Sequence, residues 1–577
     1  MVIHYSFSTQ KTEGALSVTP SLLYGENQPY GFVTEQNRKS EACLKYPELT
    51  SAFDVPYWYQ DTRLTNIQLD EVGCFLEEDC IPLCFQTAVP SQGNYLAAVT
   101  LTNPTDQECP FVLFTGRRRI AAIQTLAPSS RLTLSLVVNV TDIIPRGQND
   151  RKADSTVTIT LIGSRIRLTS VSLRPCDVPT LYIAGDSTVT DQSGSYPYRP
   201  EQCYSGWGQA LPLYLNDSVA LSNHAHSGLT TESFRAEGHH AIVLDYLKAG
   251  DYFFLQFAHN DQKLDHLKAK EGYRNNLIRY IDEIRSRGAY PVLVTPLGRN
   301  TWKGNDGTYN DLLAEYADTC RLLANEYRLP LIDLHKASTD FIKSHGLEDS
   351  RRYFFPGDYT HTNDYGAVMM AGYVAADCLK ANTFCGYEAL TAAMSIPSLT
   401  FTPPAVIQPA KPPQGFVDDR PKQSGPAFVQ TIDRPDEPIT RAEALALLIQ
   451  AVHFFPTNVY NDMFDDVVGH EWYAGTIECA YQNGMIDPSL ADGKHIHPNR
   501  PATLADFLSM AINACASRKT LPAGEELPVS CDVSDWLKPY LKTALALNWI
   551  DDSSNASAPL LRKDARTIAQ KVSDMIG

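Results

Sequence analysis

Three kinds of hydrophobic pattern follow one another along this chain. Up to residue 177, apolar and polar side chains alternate in short runs, most clearly at 95–101, 156–161 and 166–173. A period of two broken by turns marks half-buried antiparallel strands, which predicts a β-sandwich over 1–177. From 178 onward, apolar runs near 181–184, 218–221, 252–257, 291–295 and 329–333 are separated by amphipathic segments. In one of these, Leu277, Ile278, Ile281 and Ile284 recur at helical spacing before Gly288 stops the helix. Strand–helix alternation predicts an α/β domain over 178–390, a flavodoxin-like parallel sheet covered by helices on both faces. Between 391 and 438 the periodicity vanishes and prolines crowd, from Pro403-Pro404 to Pro435 and Pro438, as in a semi-rigid linker. Residues 439–577 return to a helical period with weak internal repetition.

Several apolar runs of the α/β segment end in chemistry. The first ends at Gly185-Asp186-Ser187, a small-residue turn that would hold one hydroxyl at the mouth of a sheet. Such a nucleophile needs a base and a group that orients the base. Asp358 stands three residues before His361, close enough to bond one ring nitrogen and leave the other for the serine proton. Two more strand ends offer donors. Gly228 would present a backbone N–H at close approach, and Asn260 a side-chain amide, to a developing oxyanion. In doubly wound sheets ligands bind at the carboxyl ends of the strands, where all these residues fall.

In chain order, these motifs resemble the four blocks of the SGNH (GDSL-type) hydrolases. The rhamnogalacturonan acetylesterase branch is the more similar, through Ala-Gly-Asp-Ser-Thr-Val at 184–189, N-x-A-x-x-G at 223–228, the run 249–261 and D-x-x-H-x-N at 358–363. The resemblance implies that Ser187 is the nucleophile, His361 the base and Asp358 its orienting acid. It also implies an oxyanion hole of Ser187 N–H, Gly228 N–H and Asn260. The family usually has glycine where this chain has Ala258, and often Arg-Ser after the block-two glycine, where this chain has Leu229-Thr230.

Composition narrows the partners. A chain of 577 residues exceeds one core, and 43% hydrophobic with 20% charged residues reads as soluble and globular. No apolar run reaches the roughly 18 residues of a membrane span. A net charge of −17 argues against nucleic acid and anionic membrane surfaces. Any polyanionic substrate must then be held by local groups; His259, Arg299 and Lys303 are the candidate contacts, the latter two in a loop that is equally readable as solvated. The run Arg117-Arg118-Arg119 reads as a solvated strand edge. The 13 cysteines lack regular spacing, and Cys74, Cys80 and Cys84 have no second half of a zinc site, so no metal and no other cofactor is expected. Unpaired thiols and a strand-like start without a signal peptide point to a cytoplasmic location.

The flanking regions carry resemblances of their own. Residues 1–177 resemble the galactose-binding-like domain often placed before such esterases, which leaves carbohydrate binding and packing against the α/β domain both open. In 439–577, Ile439-Thr440-Arg441-Ala442-Glu443, Trp472-Tyr473 and Val533-Ser534-Asp535-Trp536 resemble S-layer homology repeats, which anchor bacterial proteins to cell-wall polymers. Only the first repeat keeps Thr-Arg-Ala-Glu, so an arginine-dependent anion site survives at most once, and a cell-surface location is the alternative. Removal of O-acetyl groups from a plant cell-wall polysaccharide or oligosaccharide, rhamnogalacturonan first, is the activity expected. A general acyl esterase or lipase on the same scaffold, or a glycan-binding protein with an inactive esterase domain, stands as the alternative.

Overall fold

The computed structural model describes residues 2–25, 27–33, 66–144, 150–192, 194–195, 197–303, 308–356, 358–404, 434–454, 464, 466–467, 471–493, 495–516, 521, 533–551 and 554–576. The proline-rich stretch 405–433 lies outside them. The chain forms two compact units, Met1–Arg299 with Asp311–Val417 and Asn300–Asn310 with Asp418–Gly577.

The first unit opens with twelve strands among the described residues. They are β1 (Ile3–Ser6), β2 (Leu16–Ser17), β3 (Tyr30–Phe32), β4 (Gln68–Leu69), β5 (Cys74–Phe75) and β6 (Leu83–Ala88). There follow β7 (Gly93–Asn103), β8 (Cys109–Thr115), β9 (Arg119–Leu126), β10 (Ser130–Val140), β11 (Thr156–Ile162) and β12 (Arg167–Pro175). One sheet runs β10-β7-β12-β1-β2, with β5 on β12 and β4 on β5; the other runs β3-β6-β11-β8-β9. All pairings are antiparallel except that of β1 with β2. The inward residues of both sheets, among them Tyr5, Phe85, Val99, Ile159 and Leu168, meet in one core. Cys74 and Cys84 are buried and Cys80 half-buried.

Next comes a parallel sheet of β13 (Thr180–Gly185), β14 (Ala220–Asn223), β15 (Tyr252–Gln256), β16 (Tyr290–Val294) and, later in the chain, β19 (Leu331–Ile332). Its order is β14-β13-β15-β16-β19, so the first strand lies between the second and third. This is the flavodoxin-like doubly wound order, with its switch point beside the first strand. β13 is buried along its whole length, as a strand covered on both faces must be. Tyr182 and Ala184 join a cluster with Leu277, Ile281 and Ile284 of α1 (Arg274–Ser286) and Cys320 and Leu323 of α2 (Ala314–Tyr327). The alternate residues Leu181 and Ile183 face the opposite side. Further helices follow, among them α3 (Leu334–Ser350) and α4 (Asp364–Cys378), the latter packed against β19.

The basic run is not a solvated edge. The turn from β8 to β9 carries Gly116 and Arg118 at φ +53° and +56°, and the arginines enter the α/β part of the same unit. Arg118 is 1% exposed and Arg119 6%. Unsolvated guanidinium groups require partners, and acidic residues beyond Pro179 supply them.

In the second unit, β17 (Trp302–Lys303) pairs with β18 (Thr308–Tyr309). Helices α5 (Arg441–Ala451), α6 (Ala474–Gln482), α7 (Leu504–Ala516), α8 (Lys538–Ala546) and α9 (Arg562–Ile576) share one apolar core. Backbone bridges Thr440–Pro501, Thr503–Pro559 and Pro438–Leu561 tie together the segments that precede α5, α7 and α9. Thr440 and Glu443 form a reciprocal capping box at the start of α5. The arginine of that motif turns inward: Arg441 is 5% exposed, donates to the Leu490 and Ile496 carbonyls, and pairs with Asp506 at 3.3 Å. Among the described residues, no helix is long and apolar enough to cross a membrane.

Candidate active site

The site lies where β13 ends. Gly185 is the last residue of the strand, and no side chain fits there: a Cβ would meet Val189 Cγ2 at 2.7 Å and the Gln256 carbonyl oxygen at 2.8 Å. Asp186 then turns the chain: its Oδ1 accepts from Thr188 N–H (2.9 Å) and Thr188 Oγ1–H (2.8 Å). Its carbonyl accepts from the N–H groups of Val189 and Thr190. The turn leaves Ser187 half-exposed above a buried aspartate.

Ser187 Oγ lies 2.7 Å from His361 Nε2, and His361 Nδ1 lies 2.7 Å from Asp358 Oδ2. With the proton on Nδ1, the imidazole donates to the carboxylate and accepts from the serine hydroxyl. Asp358 Oδ1 also accepts the backbone N–H groups of Thr360 (2.8 Å) and His361 (3.0 Å). Burial opposes the Asp358 charge, but His361 and these N–H groups outweigh it and hold its pKa below the usual value. The loop is fixed to α4 by Asn363, which accepts from Gly366 N–H as N-cap and donates to the Arg352 and Phe354 carbonyls.

Gly228 sits at φ +86°, a conformation L side chains rarely adopt, although a Cβ there would meet no atom within 4 Å. The N–H groups of Ser187 and Gly228 donate to no described residue. Asn260 Nδ2 donates one hydrogen to the Leu229 carbonyl at 3.0 Å and keeps a second. Its Oδ1 accepts from Lys263 Nζ at 3.0 Å, which polarises the amide toward stronger donation.

The proposed substrate contacts sit elsewhere than expected. His259 is 2% exposed, its Nδ1 beside Asp186 Oδ2 (3.2 Å) and its Nε2 beside the Leu297 carbonyl (2.9 Å). Both ring nitrogens are spent under the serine turn. Arg299 is 3% exposed and spans two loops, donating to Thr360 Oγ1 (3.1 Å) and to the His259 carbonyl (3.2 Å). It braces the site from inside because a buried guanidinium fork satisfies several acceptors at once. The Lys303 side chain lies outside the described residues.

Other participants had little signal in the sequence. Gln192 Nε2 donates to the Ser187 carbonyl (2.8 Å), and Gln256 Nε2 to Thr188 Oγ1 (2.8 Å). Tyr204 stacks on Phe355 with ring centroids 3.7 Å apart and meets the His361 ring edge-on at 5.7 Å. Lys263, whose Nζ meets the Asn260 amide oxygen, stands three residues after it in the chain. Among the described residues, no cluster of three or more His, Cys, Asp or Glu could hold a metal ion.

A five-stranded parallel sheet with a serine, a histidine and an aspartate hydrogen-bonded in sequence beyond the end of its first strand makes this the candidate ester-cleaving site. The model of the GDSL-like lipase/acylhydrolase family matches residues 183–368. Rhamnogalacturonan acetylesterase RhgT of Bacillus subtilis is 34% identical over 208 residues, which covers 34% of this chain and 87% of the relative. The uncharacterized esterase YxiM of the same organism is 31% identical over 399 residues, 67% of this chain and 92% of the relative. The YxiM crystal structure superposes with a TM-score of 0.35 at 22% identity, covering 67% of this chain and 100% of that one. The chain belongs to the GDSL-like lipase/acylhydrolase family and is an esterase.

Proposed function

We propose that the protein removes O-acetyl groups from an acetylated plant cell-wall polysaccharide or its oligomers, with rhamnogalacturonan as the first substrate. The observation that carries this reading is the unbroken chain Asp358–His361–Ser187, with both links at 2.7 Å. Ser187 attacks the acetyl carbonyl as His361 Nε2 takes its proton. The oxyanion is held by the N–H groups of Ser187 and Gly228 and by the second amide hydrogen of Asn260. Collapse of the tetrahedral intermediate breaks the bond to the sugar oxygen, which takes its proton from His361. Water, activated by the same histidine, then releases acetate. The substrate class draws its support from the similarity to RhgT and to YesY, a probable rhamnogalacturonan acetylesterase 32% identical over 203 residues.

The test is acetate release from acetylated rhamnogalacturonan, acetylated xylan and a short-chain aryl acetate, wild type beside Ser187→Ala. Wild type is expected to act fastest on rhamnogalacturonan, with turnover in the variant lower by several orders of magnitude. Aryl acetate hydrolysis without polysaccharide hydrolysis would move the substrate and keep the mechanism. Undiminished activity in Ser187→Ala would remove the mechanism.

A further inference from the structure

Among the described residues, a densely bonded group of buried charges in the first unit lies outside the serine, histidine and aspartate. Arg118, contributed by the β8–β9 turn of the sandwich, is fully buried in the α/β part. Its Nη1 forks onto both oxygens of Asp364, at 2.9 and 2.7 Å, and Asp364 is the first residue of α4, three positions after His361. Its Nε donates to the Gln192 carbonyl (2.9 Å), and the Gln192 amide donates to the Ser187 carbonyl (2.8 Å). Its Nη2 donates to the carbonyl of Tyr204 (2.7 Å), whose ring meets His361 edge-on. One guanidinium thus bonds the segments that follow the nucleophile and the base. Tyr198 and Gln209 join the shell, through Tyr198 O–H to Asp364 Oδ2 (2.9 Å) and Gln209 Nε2 to the Arg118 carbonyl (2.9 Å).

The neighbours do the same for the third loop. Arg117 Nε and Arg119 Nε both donate to Asp191 Oδ2, at 3.1 and 2.9 Å. They also donate to carbonyls at the end of β14, Arg117 to Asn223 and Arg119 to Leu221. From there the chain runs five residues to Gly228. Asn223 Nδ2 returns to Asp191 Oδ1 (2.9 Å) and to the Val189 carbonyl (2.9 Å), closing the network on the serine turn.

We propose that the Arg117–Arg119 turn of the sandwich is a positioning element of the esterase site, holding the serine turn, the Gly228 loop and the start of the His361 helix in one geometry. This rests on the site assignment made under Proposed function. The sandwich is then a part of the enzyme's working core, whatever else it binds. The physical reason is reach: a planar fork with five N–H donors can bond three separate segments, and a lysine ammonium cannot reproduce that pattern. A displacement of about 1 Å between nucleophile and base is enough to cost on the order of 100-fold in rate.

The test uses full-length protein with Arg118→Lys, which keeps the charge facing Asp364, and with the paired change Arg118→Gln and Asp364→Asn, which removes both charges. Circular dichroism and thermal melting select the variants that are folded at the assay temperature. In either folded variant, kcat on an aryl acetate is expected to fall about 10- to 100-fold with KM within about twofold. The rate of Ser187 labelling by diethyl p-nitrophenyl phosphate should fall in parallel. A merely structural arginine would lower the melting temperature and leave kcat and labelling of the folded protein unchanged, and that result overturns the proposal. Ser187→Ala runs alongside: activity that survives it overturns the site assignment itself, and the proposal with it.

Discussion

Two residues beside the site carry measurable conflicts. Ala258 stands at φ +129° with its side chain fully buried, in a backbone region that favours glycine. This explains physically why a glycine is usual before the His-Asn-Asp run in such hydrolases. Strain of about 1–3 kcal/mol is relieved in Ala258→Gly, against roughly 1.5 kcal/mol lost in chain entropy and methyl burial, so the two nearly cancel. The variant is expected to melt within about two degrees of wild type or above it. Ala184→Gly, in the extended backbone of β13, should melt several degrees lower by the same measurement. A marked loss of stability in Ala258→Gly would contradict the strain argument.

Asp261 is the second conflict. It is fully buried, its Oδ1 accepts from Thr231 N–H (2.9 Å) and Thr231 Oγ1–H (2.5 Å), and its Oδ2 has no partner. Burial pushes its pKa up to about 7. A carboxyl with a raised pKa in the fold binds its proton more tightly there than in the unfolded chain. Its stability contribution is complete below the ordinary carboxylate pKa and is lost as pH rises through about 7. The gain in melting temperature of Asp261→Asn over wild type is therefore expected to be larger at pH 8 than at pH 5. Equal differences at the two pH values would show that Asp261 does not titrate in that window.

At the scale of elements, the site depends on strand ends and the turns that follow them. Period-two and helical patterns place β13, β14, β15 and α1 almost where they occur, because those elements are buried and their apolar residues are local in sequence. The motifs at 185–187, 228, 260 and 358–361 were equally legible, since each is a short run whose chemistry needs those residue types. His259 and Arg299 were misread for one reason. A polar residue at a strand end can face the ligand or the interior, and periodicity does not distinguish the two. Their bonds to Asp186, Leu297 and Thr360 join parts of the chain 38 to 73 residues apart. The Arg117–Arg119 turn was misread in the same way, since its partners lie beyond the end of its own domain pattern.

For the whole molecule, charge is the relevant quantity. A net charge of −17 repels a polyuronate backbone at long range, while Lys263 offers a cation beside Asn260 at short range. Raising ionic strength from about 0.01 M to 0.15 M shortens the screening length from roughly 30 Å to 8 Å. If the proposed substrate is right, kcat/KM on an acetylated, uronate-rich polysaccharide should rise across that range. Hydrolysis of a neutral aryl acetate should stay constant. A fall on the polysaccharide would mean that local cations dominate its capture.

The sequence by itself determined the α/β alternation, the β-rich start, the family resemblance and the residues offered for catalysis, because each rests on neighbours within a few positions. Tertiary structure alone decided which polar side chains meet. It brought Ser187 to a histidine 174 residues away, turned His259 and Arg299 inward, and buried Arg118 against Asp364 across 246 residues. Burial of a charge is favourable only where a partner waits, and no local pattern records where that partner is.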